Sequence, residues 1–255
     1  MSEPVIRHVH AVEEFEACVE LQKEVWGFDD IEVVPLRMFV VASKIGGQVI
    51  GAFDDDRLIG FALSIPGSRG RHAYLHSHML AVREGFRDRG IGRRIKLAQR
   101  DDALVRGIDL IEWTFDPLEI KNAFLNIERL GAVARRYNIN QYGIASSPLW
   151  GGLPTDRLIA EWWVRSERVH QILSQGSHSP VVAERTISVP AEVAEWKAKP
   201  ETRGKARDIQ ARIREKFLAA FREDLTVLGF QRTKQSDGIY QLARWAEDWF
   251  YPPEH

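Results

Sequence analysis

One continuous run, His72 to Arg106, constrains this chain more than any other, because it passes from strand to glycine turn to helix without a break. His72 to Val82 alternates as a strand does, with His76, His78, Leu80 and Val82 expected on one face and Leu75, Ser77, Met79 and Ala81 on the other. Arg87-Asp88-Arg89-Gly90-Ile91-Gly92 follows, and Ile91, Ile95 and Ala98 then recur at the spacing of an amphipathic helix. Successive backbone N–H groups in such a turn, together with the unpaired donors of the first helical turn, make an anion site. Gly90 and Gly92 bring no Cβ to obstruct a pyrophosphate. Residues 85–106 carry seven basic side chains, Arg87, Arg89 and Arg93 among them, against three acidic ones, a balance that suits a nucleotide phosphate. The plainer readings are a structural turn and a solvated helix face. No Gly-Lys-Ser/Thr occurs, and no GxGxxG follows a first strand, so a magnesium-nucleotide or dinucleotide fold is disfavoured.

The flanking chain supplies a mixed architecture. Residues 4–10 alternate like a strand, and Val12, Phe15, Cys18, Leu21 and Val25 trace a helix ending at Gly27. Pro35, Met38, Val41 and Ala42 suggest a second helix stopped by Gly46 and Gly47. Gln48 to Phe53 and Leu58 to Ser64 read as a hairpin, Asp109 to Phe115 as a strand, and residues 117–131 as a helix closed by Gly131. Strands over 132–140 and 158–165 complete an order βααβββαβαββ, an α+β fold with a mixed, mostly antiparallel sheet flanked by helices. At about 150 residues per domain, 255 residues suggest one domain with an annex. We place the boundary near 167: residues 1–167 form the main domain and 168–255 a small α/β extension. In the extension Ile209, Ile213, Phe217 and Phe221 make a helical stripe that must cover the main domain or a second subunit, so a homodimer is one expectation.

A net charge of −1 gives no global attraction to nucleic acid or anionic lipid, and no apolar run approaches a membrane span. The single cysteine, Cys18, forms no internal disulfide and reads as a small core residue, and the cytoplasm is the default compartment.

Leu80-Ala81-Val82, then Arg87, Gly90 and Gly92 within this element order, resemble the GNAT superfamily of acyl-CoA-dependent N-acyltransferases over roughly residues 4–165. The resemblance implies acetyl-CoA or another acyl-CoA as donor and no metal. It implies that the amides of Arg87, Asp88, Arg89, Gly90, Ile91, Gly92 and Arg93 hold the coenzyme A pyrophosphate. The backbone of Leu80, Ala81 and Val82 would pair with pantetheine and polarise the thioester carbonyl.

Amine attack on a thioester needs a neutral amine, donors for the oxyanion and a proton for the leaving thiolate. Histidine is tuned nearest to taking the amine proton at neutral pH, and His76 and His78 lie within two strand pitches, about 6.6 Å each, of the thioester contact. His76-x-His78-x-Leu80-Ala81-Val82 is similar to the corresponding strand of the arylalkylamine N-acetyltransferases, whose paired histidines relay the amine proton, and His76 falls where other members place a glutamate base. Structural strand histidines and a His-x-His metal site are the alternatives. Glu112 is a second candidate base, with a strand-edge carboxylate as its plain reading.

The chain departs from the family at the proton donor: the usual tyrosine slot, four residues before Gly131, holds Ile127. Tyr137 and Tyr142 are the substitutes downstream, and the family's helix asparagine is out of register here, with Asn122 and Asn126 nearest to it. Trp113 is a candidate aromatic wall for the acceptor, against a plain core role, and Arg157 a candidate partner for a substrate carboxylate, against a surface arginine. The expected acceptor is a small-molecule primary amine, with amino acids favoured and acetyl or succinyl as the acyl group. The competing expectation is an acyl-CoA-binding sensor that catalyses nothing.

Overall fold

The computed structural model describes residues 3–143 and 152–251, and the chain divides into two compact units. The first comprises residues 1–112 and 251–255, the second residues 113–250.

In the first unit the order is β1 (Val5–His8), α1 (Val12–Trp26), α2 (Leu36–Lys44), β2 (Gln48–Asp54), β3 (Arg57–Arg69), β4 (His72–Val82), α3 (Ile91–Val105) and the start of β5 (Leu110–Phe115). Strands β1 to β4 are antiparallel neighbours in chain order, and β5 pairs parallel to β4 at Leu75–Ile111 and His76–Glu112. One face of this sheet packs Phe61, Leu63, Met79 and Ala81 against Phe15, Cys18 and Leu21 of α1 and Phe39 and Ala42 of α2. The other packs Ile50, Ile59 and Ala62, with Leu80 and Val82, against Ile91 and Ile95 of α3. Met38 and Val41, counted in the apolar face of α2 from sequence, are 44% exposed, and Phe39 and Ala42 take the core positions. Burial pushes the Cys18 thiol well up, consistent with a packing role.

The pairing of β3 with β4 slips by one residue: Leu63 stands opposite Met79, but Ser64 stands opposite Ser77. His78 is the extra residue of a β-bulge. The slip overturns one expectation. His76 and His78 do not share a face with Leu80 and Val82, because the bulge inverts the alternation between them. Ser77 reaches α3, whereas His78 faces Met38, Ala42 and Leu63 on the α2 side.

The second unit continues β5 and contains α4 (Ile120–Phe124), β6 (Tyr137–Asn138), β7 (Arg157–Trp163), α5 (Glu167–Gln175), β8 (Arg185–Val189), α6 (Val193–Ala198), α7 (Arg203–Arg222), β9 (Thr226–Arg232) and β10 (Gly238–Ala243). Strand β7 lies between β5 and antiparallel β6, and a separate antiparallel sheet has the order β8-β10-β9. The expected strand over 132–140 shrinks to two residues. Val133 and Ala134 bridge to different partners, Glu161 and Val227, so no continuous ladder forms. A π-helical turn, Leu125–Arg129, follows α4 and buries Ile127. Helix α7 lays Phe217 between Tyr137 and Tyr240, with ring centroids 5.8 and 5.1 Å apart, while Ile209 of the expected stripe yields its place to Gln210 and Ala206.

Candidate active site

The bulge in β4 organises the first unit's most chemically loaded region. The His78 imidazole sits on a cavity of about 250 Å³ whose walls include Val33, Val34, Met38, Ala42, Leu63 and Ile65, with Glu32 and Pro35 completing the lining. Its ring is open to this space, yet the protein packed around it, and secondarily the neighbouring His76, hold its pKa below the ordinary imidazole value. The two rings lie 6.2 Å apart. His76 Nδ1 is 3.7 Å from Glu112 Oε1, and Arg69 donates to Glu112 Oε2 at 2.6 Å. Arg69 and Glu112 are both buried, so the carboxylate that is the second candidate base sits in an ion pair beside His76.

Behind the bulge, on the α3 side, lies a buried polar network that the sequence reading missed. Gln99 donates to Ser64 Oγ at 2.5 Å and accepts from Ser77 Oγ at 3.1 Å, tying together the two serines paired at the slip. Ser64 donates to Gln48, whose amide donates to the Gln99 carbonyl and to Asp102. Lys96 donates to Ser77 at 2.8 Å, and burial holds its pKa well below the lysine range. Three amide and hydroxyl residues on strands expected to be apolar inside were the available signal. Gln22 was missed as well: fully buried in α1, it both donates to the Val34 carbonyl and accepts from the Val34 N–H, fixing the cavity wall.

The turn after β4 forms as the sequence suggested. Gly90 adopts φ 75° at the N-cap of α3, a left-handed conformation that favours glycine, and no side chain caps the helix. A Cβ on Gly92 would lie 3.6 Å from Leu80 and 3.8 Å from Val82, so this helix start packs directly on the β4 segment Leu80–Val82. Arg87 Nε donates to the Val82 carbonyl, Arg93 is half-buried, and Asp88 and Arg89 are exposed. Uncapped donors, a glycine with positive φ and surrounding arginines fit a pyrophosphate.

The remaining expected residues belong to the second unit. Tyr137 is buried and donates to Asp156, and burial with that carboxylate pushes its pKa up. Asp156, fully buried, also accepts two bonds from Arg214. Tyr142 is 45% exposed, its hydroxyl 3.1 Å from that of Thr114. Arg157 is buried, not a surface residue, and donates to the Asp156 carbonyl. Trp113 is buried edge-on against Trp162, with centroids 6.0 Å apart, in the core. Asn122 is exposed on α4. Among the described residues no group of three or more His, Cys, Asp or Glu side chains is placed to hold a metal ion. No helix of the described residues is long and apolar enough to cross a membrane.

A family model described as the acetyltransferase (GNAT) family matches residues 13–124, from α1 to α4. Over that stretch the chain is similar to GNAT acetyltransferases. Its fold is similar to that of solved GNAT structures. A GNAT-family acetyltransferase from Desulfovibrio desulfuricans matches with a TM-score of 0.52 at 17% identity, covering 63% of this chain and 99% of that one. The ribosomal-protein-S18-alanine N-acetyltransferase of Escherichia coli matches at 0.51 and 14%, over 64% and 95%. An aminoglycoside 6'-acetyltransferase type Ii matches at 0.51 and 18%, over 64% and 99%. The curated proteins give no match.

Proposed function

We propose that the chain transfers an acetyl or succinyl group from acyl-CoA to the primary amine of a small molecule, with His78 taking the amine proton. The observation that carries this reading is the bulged histidine itself. It is an imidazole turned into an apolar cavity, kept in its neutral, proton-accepting form by its surroundings, one strand pitch from His76.

When bound, acyl-CoA supplies the thioester. The amides of residues 87–93 bind its pyrophosphate, and the backbone of Leu80–Val82 orients the pantetheine arm and the carbonyl. The amine nitrogen attacks that carbonyl as His78 accepts its proton, giving a tetrahedral intermediate. The C–N bond is then complete, the C–S bond breaks, and the imidazolium of His78 returns the proton to the departing thiolate. His76, beside the Arg69-anchored Glu112, stands with its ring 6.2 Å from that of His78. This route needs no tyrosine in the slot held by Ile127. In this reading residues 1–167 carry the transferase and 168–255 an extension.

The second reading, an acyl-CoA sensor, rests on that same Ile127. Incubation with acetyl-, succinyl- and longer acyl-CoAs against an amine panel, following free thiol, separates the two. Acceptor-dependent thiol release supports the transferase. Thermal stabilisation by acyl-CoA without thiol release supports the sensor, and no stabilisation by any acyl-CoA contradicts both.

A further inference from the structure

Ahead of the bulge β4 pairs regularly with β3, so His72, Tyr74 and His76 share one face, with Arg69 opposite His72 and Gly67 opposite Tyr74. On this face a row of contacts runs from the β3–β4 turn toward His78. Tyr251, which belongs to the first unit, stacks on His72 with ring centroids 4.6 Å apart and planes 16° apart. The Arg69 guanidinium lies over the Tyr74 ring, 4.7 Å from its centroid. Gly67 makes room for that ring: a Cβ there would fall 2.5 Å from it, so the missing side chain lets Tyr74 lie across β3. From its place over Tyr74, Arg69 donates to Glu112 on β5, and the other oxygen of Glu112 faces His76.

We infer that Tyr251 is a positioning residue for acyl transfer: its ring, stacked on His72, shields the Arg69–Glu112 ion pair that holds His76 beside His78. This rests on the acyl-transfer reading and adds to it a residue remote in sequence from the strand it serves. Arg69 is the cross-strand partner of His72, so a ring laid on His72 covers the strand pair at Arg69. The electrostatics agree. Burial first, and then the Asp109 carboxylate, push the Tyr251 phenol up, while Arg69 pulls it the other way, so both charges act on this ring. Arg69 and Glu112 keep only 7% and 5% of their surface exposed, and an ion pair kept from water holds its geometry more firmly than a solvated one. Without the Tyr251 ring, water reaches the guanidinium, the pair loosens, and the carboxylate beside His76 gains freedom. Tyr251 thus acts through His72, Arg69 and Glu112.

Tyr251→Ala and His72→Ala remove the stack from either side, and both replace side chains outside the core. Tyr251→Phe keeps the ring. Two readouts are taken on each full-length variant and on the double variant: kcat and KM for thiol release from acetyl-CoA, and the His76 imidazole NMR signal without donor, assigned by its loss in His76→Gln. The expected result is a fall in kcat of about three- to tenfold in each alanine variant, with the KM for acetyl-CoA unchanged and the His76 signal displaced. Tyr251→Phe is expected to restore both, and the double variant to lose no more than either single one, because the two rings act as one unit. A kcat within about twofold of the wild type in either alanine variant overturns the inference and leaves acyl transfer standing. An unmoved His76 signal, or losses that multiply in the double variant, overturns it as well. If the wild type releases no thiol, the transferase reading falls, and the His76 signal alone decides whether Tyr251 positions that ring.

Discussion

On the α3 side of β4, Ser77 is one member of a hydrogen-bonded chain running through Gln99, Ser64 and Gln48 to Asp102, with Lys96 as a further donor. On the α2 side, His78 faces an apolar cavity and His76 touches only the rim of a buried ion pair. These are successive residues of one strand, separated by a slip of a single residue. The first side holds its polar groups in mutual hydrogen bonds, which suits it to fixing the register. The second leaves its titratable groups beside open space, which suits it to exchanging protons. A bulge is thus a means of aiming a side chain, and the network behind it keeps the aim.

Breaking the network tests this division most severely. Gln99→Leu removes the bridge between Ser64 and Ser77 and is expected to cost roughly 1–3 kcal/mol in urea unfolding. If the network aims His78, kcat per folded molecule also falls by about tenfold, while acyl-CoA affinity is unchanged. A stability loss with kcat intact would reduce the network to ordinary core. Lys96→Met gives a gentler break. The folded protein sheds the Lys96 proton below the 10.5 of the free side chain, whereas the unfolded chain still binds it. Wild-type stability therefore rises with pH through the window below 10.5, and the slope should disappear in Lys96→Met when unfolding is followed across that range.

On the other side of the strand, the acid limb of kcat/KM is expected below pH 6.5, because the depressed pKa of His78 keeps it neutral to lower pH. His76→Gln removes a charge that helps depress it, so the limb should move to higher pH, a shift read directly from the pH–rate profile. The smallest effects concern the glycine turn. Gly90→Ala meets a positive φ of 75° and should destabilise by about 1 kcal/mol. Gly92→Ala, whose Cβ finds ordinary contacts, should stabilise by roughly 0.5 kcal/mol.

Much of this was legible in the sequence. The order of elements through β7 was readable because each has its own period and its own stop: Gly27 after α1, Gly46 and Gly47 after α2, Gly90 before α3. Helix α5 was missed although Ser166 caps its start and Gly176 closes it. The pair His76 and His78 was visible as residues, but their face was not. A bulge switches which face the following side chains take and lives in the register of the strand with a neighbour, which no single strand encodes. Arg157 likewise reads as a surface residue until the fold buries it.

The central claim is that His78, turned by the bulge into the cavity, accepts the amine proton. It is tested most directly by single-turnover thiol release from saturating acyl-CoA with a primary amine, in the wild type and in His78→Ala. Donor binding is measured in the same samples. The account predicts a fall of about 10²–10⁴-fold with donor affinity retained. Turnover in His78→Ala within about threefold of the wild type, at equal donor binding, would contradict it.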